Sequence, residues 1–360
     1  MPPIQTASPV TVSLHELRAG TVPFSTLVAA FGPDSLGILV VSDLPSSFAA
    51  LRTKVLRNSS RLAALPAARL QSLTNASAKY LVGWSHGVET LKPGVLDKGK
   101  GSYYINCAFY TDAALQGASS SSAVEVAAAE ATGFEEYTAP NIWPDESDIP
   151  GFRENAEQLI RLIIDTAVLV ARACDRYGEG EIEAYPSGGY LEHVVKTSTT
   201  TKARLLHYFP QETSTPTPTS HSDAFSLTSA MFIDESASSP AGHEDGDNAN
   251  GQELAASPSA SAGLYIRSRT GQTYKVSIPR DGLAFQTGEA LELMTRGKFK
   301  AVPHFVRGVD ARDLADSRIR VARNTLAVFT QPNLDAVVDV TSQTTFGEFA
   351  RRVVKRNTAG

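Results

Sequence analysis

Cysteine is almost absent: the 360-residue chain has two, Cys107 and Cys174. Two cysteines fit neither a disulfide framework nor a metal-ligand spacing. They point to a reducing, intracellular setting in which each is a small core residue. Long apolar runs are missing as well, so no membrane partner is expected. The opening MPPIQTASPV has neither a basic n-region nor an apolar h-region, and the closing KRNTAG matches no retention or peroxisomal tag. A cytoplasmic protein is the expectation. Positive charge is also scarce where it could be grouped. The net charge is −5, but residues 234–263 hold six acids and no Lys or Arg, which leaves +1 for the rest. Without a basic stripe, no nucleic-acid partner is expected.

What the chain does have is 42% hydrophobic residues, enough for a sizeable core at a length above the usual single-domain size. VTVSLHEL and LGILVVSDL read as strands, and the stretch after the second repeats apolar residues at helical spacing. Residues 1–135 are therefore an N-terminal α/β region, with a low-complexity insert near 115–133. Within 140–180, an apolar face through Phe152, Leu159, Ile160, Ile163, Ala167, Val170 and Cys174 predicts a long helix that serves as a spine. From 186 to 345 the character changes to short β-rich runs, among them KARLLHYF, AFSLTSAMFI, GLYIRSR, ALELMT, AVPHFV and RNTLAVFTQP, separated by turn signals. Such spacing means a sandwich or barrel. The acidic, Ser/Ala-rich stretch near 234–262 interrupts it as a mobile insert. Residues 346–360 form a C-terminal helix or tail. The fold class is α+β with a mostly β core.

His221 and Asp223 lie two residues apart in PTSHSDAFSLTSAMFID, hence on one face of a strand. Alone, the pair reads first as a turn-forming Asp beside a surface His. His304 follows Pro303 in a later strand, where a packed, hydrogen-bonded histidine is the plain alternative. Together, two imidazoles and one carboxylate on neighbouring strands can bind one face of an Fe(II) ion and leave positions open. Arg323 and Thr325 again share one strand face, a guanidinium beside a hydroxyl that suits a carboxylate. An internal salt bridge is the competing explanation for Arg323.

The order His221-x-Asp223, GLYIR, GKFKAVPHFV with His304, then Arg323-x-Thr325 resembles the Fe(II)/2-oxoglutarate oxygenase superfamily, in its isopenicillin-N-synthase-like branch. The resemblance covers roughly residues 140–345. It implies a double-stranded β-helix (jelly roll) over 186–345 behind the helical spine, with iron on His221, Asp223 and His304. It further implies 2-oxoglutarate as cosubstrate, its distal carboxylate on Arg323 and Thr325, with Tyr208 in contact. The chain departs from the family at Leu206, where an Asn is usual, and in a longer His304-to-Arg323 interval. The implied activity is a dioxygenase that uses O2 to hydroxylate or desaturate a small organic molecule, releasing succinate and CO2. No catalytic side chain beyond the metal ligands is implied, and a monomer is expected. Two rivals stay open: an iron oxidase of the same branch that uses no oxoglutarate, and an inactive jelly roll kept as a binding module.

Overall fold

The computed structural model describes residues 5–92, 95–118, 133–210, 217–219, 225–236, 251–314, 316 and 318–358. Among these, ten strands make a large sheet and five a smaller one. The larger sheet runs Val10–Ser13, Ile38–Ser42, Leu283–Gln286, Phe225–Thr228, Val321–Phe329, Lys202–Tyr208, Lys100–Asn106, Gly83–His86. Met231–Asp234 continues on Val321–Phe329 and pairs with Gln252–Glu253. The smaller sheet runs Gln5–Ala7, Thr273–Val276, Gly263–Arg267, His304–Arg307, Thr217–Thr219. Strands from the first hundred residues thus extend both sheets rather than forming a separate layer.

Side-chain alternation explains the layers. Leu206, Phe225, Leu227 and Ala327 of the larger sheet meet Leu264, Ile266 and Val306 of the smaller one in a shared core. The other face of the same strands, with Ala203, Leu205, Leu326 and Val328, packs under helices Phe152–Glu181 and Ser47–Ala63. Strand Val321–Phe329 is buried along its whole length because both of its faces are covered.

The long helix begins at Phe152, directly after Pro150 and Gly151, and runs for 30 residues. Buried Asp175 on it accepts hydrogen bonds from the Leu191 and Glu192 amides at 2.8 Å and from the Tyr185 hydroxyl at 2.7 Å. A carboxylate at the first turn of Tyr190–Thr197 satisfies amides that no helical partner can reach. Cys107 and Cys174 are buried thiols, and burial pushes Cys107 up to about 12.

Three local expectations are corrected. ALELMT lies in a helix, Glu289–Met294, entered from Gly288, as its Ala, Leu, Glu and Met content favours. VTVSLHEL is a strand only to Ser13. There a capping box, in which the Ser13 side chain and Glu16 bond each other's backbone amides, starts helix Leu14–Ala19. Residues 251–262, expected within a mobile insert, are packed: Glu253 bridges Arg52 and Arg280, and Ser259 and Ser261 bond Asp313. The remainder of that insert, 237–250, and residues 119–132 of the earlier one lie outside the described residues.

Candidate active site

One small cavity in the core between the two sheets is lined by Arg204, Leu206, Tyr208, Phe225, His304, Arg323 and Thr325, among others. Four residues singled out in the sequence, Tyr208, His304, Arg323 and Thr325, therefore face one space. Tyr208 and Arg323 are register partners on adjacent antiparallel strands, and Leu206 stands opposite Thr325. The period-2 pattern of the two strands turns both pairs inward.

His304 opens its strand and is 6% exposed. Its Nδ1 lies 2.9 Å from Nε2 of Gln286, and the Phe225 ring is 5.1 Å away, centroid to centroid. Burial pushes the imidazole down to about 4, with a hydrogen bond to the Val302 backbone opposing it. The ring is therefore neutral at pH 7, the state that can donate a lone pair to a metal. His221 and Asp223 lie outside the described residues. The chain on either side of them adjoins His304, since Thr219 is its register partner and Phe225 touches its ring. Among the described residues, no group of three His, Cys, Asp or Glu side chains could hold a metal.

Arg323 is 3% exposed, and its guanidinium lies over the Tyr208 ring at 5.1 Å. Among the described residues its Nε and Nη1 have no hydrogen-bond partner. Burial lowers its pKa, with Tyr208 opposing the shift, yet a guanidinium keeps its charge in proteins. The equally buried Arg52 and Arg204 are satisfied. Arg52 bonds Ser229, Ala230 and Glu253, and Arg204 bonds Ser102 and Glu89. A buried cation without an anion is costly, and among the described residues Arg323 has no anion hydrogen-bonded to it. Thr325 differs: its hydroxyl donates to the Thr228 carbonyl at 3.1 Å.

The sequence reading passed over Gln286 and Arg204. Arg204 also stacks over Tyr104 at 4.9 Å. Burial acts to raise the pKa of Glu89, but the Arg204 and Lys100 cations outweigh it and hold the carboxylate well below its usual range. A signal for this cluster was present: Arg204, in a strand with Ala203, Leu205 and Leu206, needs a buried partner. Gln286 had none, because its role depends on a strand from the other sheet.

No protein-family model matches the sequence, and no curated protein matches it either. Solved structures do. A Caulobacter crescentus protein assigned to the 2OG-Fe(II) oxygenase family superposes with a TM-score of 0.64 at 15% identity, covering 97% of this chain and 99% of that one. A full-length Neurospora crassa protein, solved in complex with alpha-KG, gives 0.59 at 15% identity over 96% and 95% of the two chains. The rice dioxygenase for auxin oxidation gives 0.56 at 14% identity over 98% and 96%. At these identities the likeness is one of fold, and it extends over nearly the whole length of each.

Proposed function

We propose that this chain is an Fe(II)- and 2-oxoglutarate-dependent dioxygenase that hydroxylates or desaturates a small organic molecule. Its two facing sheets are read as a jelly roll, with iron on His221, Asp223 and His304. The observation that carries the reading is Arg323, a buried guanidinium without a hydrogen-bonded partner among the described residues, in the same cavity as His304. The fold shared with an oxygenase-family protein, and with another protein solved with alpha-KG, supports it.

The residues present fit these groups. A neutral, buried imidazole suits a divalent metal, and an uncompensated guanidinium suits the distal carboxylate of 2-oxoglutarate. Bound iron supplies the site at which O2 is reduced as the cosubstrate loses CO2 to become succinate and the substrate is oxidised. The protein's own work is positioning. Arg323 anchors the cosubstrate, and the Tyr208 ring beneath it keeps the guanidinium aimed into the cavity. Thr325 offers its hydroxyl beside Arg323. Apolar Leu206, Leu227 and Ala327 keep water from the site.

The test is calorimetric binding of 2-oxoglutarate to manganese-loaded protein, wild type against Arg323→Ala. A buried, charge-assisted bidentate contact is worth about 3 kcal/mol, so affinity should fall about a hundredfold. Equal affinity in the two proteins overturns the reading.

A further inference from the structure

We infer that the substrate is an uncharged, largely apolar molecule with one hydroxyl or similar hydrogen-bond donor, held in a second cavity beside His304. The inference rests on the reading of His304 as an iron ligand. Phe225 opens its strand, Gln286 closes the next one, and the two are register partners. Both reach the His304 ring: Phe225 at 5.1 Å between centroids, and Gln286 at 2.9 Å from Nδ1. Both also line a cavity that continues past the ends of these strands into the helix layer. Its far walls are Ala171 of Phe152–Glu181, Val195 of Tyr190–Thr197 and Met294 of Glu289–Met294. Phe225 is thus a wall shared with the cavity that Arg204 and Arg323 line.

The two cavities differ in charge. Arginines line the first, whereas among the described residues no charged side chain lines the second. A carboxylate or an ammonium brought there loses its water without gaining a counter-ion, which is costly. An apolar body gains by the same transfer. The polar groups narrow the ligand further. The Thr287 hydroxyl already donates to the Lys300 carbonyl at 2.6 Å. Gln286 is 3% exposed, and its Oε1 has no hydrogen-bond partner among the described residues. A hydroxyl on the ligand satisfies that oxygen and leaves the same end of the molecule next to His304. Apolar cavities with a few placed polar groups take small organic ligands and orient them through those groups. The uncharged lining therefore selects the class of substrate, and Gln286 selects the end presented for oxidation.

Cinnamyl alcohol and cinnamate, alike in shape and different in charge, are the probes. They are titrated by ligand-observed NMR into the full chain, loaded with zinc and saturated with 2-oxoglutarate, which keeps carboxylates off Arg323. We expect the alcohol to bind at least about tenfold more tightly than the acid. Ala171→Leu fills the cavity from the spine helix, so it should weaken the alcohol at least about tenfold and leave 2-oxoglutarate affinity unchanged. A further measurement needs no variant: replacing zinc by manganese should broaden the signals of the bound alcohol, as a nearby paramagnetic ion does. Three results overturn the inference while leaving the proposed function standing. They are an alcohol that binds no better than cinnamate, an alcohol affinity unchanged in folded Ala171→Leu, and alcohol signals equally sharp with either metal. Wild-type protein that binds neither metal nor 2-oxoglutarate overturns both.

Discussion

Arg204 and Arg323 sit on neighbouring strands, face one cavity and differ in their partners. Glu89 and Ser102 satisfy the first, whereas the second has only the face of Tyr208 among the described residues. Thr325 is intermediate, because its hydroxyl already has an acceptor in the Thr228 carbonyl. A carboxylate on Arg323 offers that hydroxyl a charge-assisted bond in place of a neutral one, so the proton should turn toward the ligand. Thr325→Val keeps the shape and removes one hydrogen bond, a loss of about 1 kcal/mol. The expected result is about fivefold weaker 2-oxoglutarate binding by calorimetry, far milder than for Arg323→Ala. Unchanged affinity together with a lowered melting temperature would show that the hydroxyl stays on Thr228 and serves stability alone.

The hairpin formed by Met231–Asp234 and Gln252–Glu253 is held at its base by Glu253, whose carboxylate bridges buried Arg52 and exposed Arg280. The acidic stretch therefore divides into two parts with opposite expectations. Deleting 237–250 removes no described contact and shortens a closed loop, which changes closure entropy only slowly with length. Its melting temperature should stay close to wild type. Deleting 237–260 also removes Glu253 and leaves Arg52 buried without its anion. Breaking a buried pair on one side costs about 3–5 kcal/mol. Thermal unfolding of the two deletions side by side checks this, and equal melting temperatures would mean that the Arg52–Glu253 bridge does not hold the hairpin.

Across the whole molecule, stability should fall in mild acid, and His207 is one source. It lies on the helix-facing side of its strand, with Nδ1 2.8 Å from Asn324 Oδ1; Asn324 in turn donates to the Leu56 carbonyl and the Ser60 hydroxyl on helix Ser47–Ala63. Burial pushes its pKa down to about 4, opposed by the Asn324 bond and aided by His86. An unfolded histidine titrates near ~6.5, so between that value and 4 the unfolded chain binds the extra proton. The stabilisation is complete above the unfolded value and is lost as pH falls toward 4, by roughly 3 kcal/mol at most. Glu89, held low by Arg204 and Lys100, adds a further loss below the ordinary carboxylate range. Melting temperature followed from pH 7 to 4 should decline for wild type, and less steeply for His207→Gln. Parallel declines would assign the acid sensitivity to other groups.

Sequence alone determined the features that depend on local periodicity and turn chemistry. The spine helix was legible from its apolar stripe, and its start at Phe152 follows from Pro150 and Gly151. The inward pairing of Arg323 with Thr325 was legible because a strand repeats every two residues, and Tyr208 was placed by resemblance to a family. ALELMT was misread as a strand because so short a segment, with Leu, Leu and Met among polar residues, suits either element, and here helix-forming residues after Gly288 decide it. The tertiary structure alone decided what depends on distant contacts. The described second half of the acidic stretch is ordered because Glu253 meets Arg52, 201 residues away. Arg323 stands without a hydrogen-bond partner among the described residues while Arg204 bonds Ser102 and Glu89, a difference set by which distant segments reach each one. Gln286 met His304 only because two sheets face each other across one core, and no spacing along the chain encodes which amide will face which imidazole.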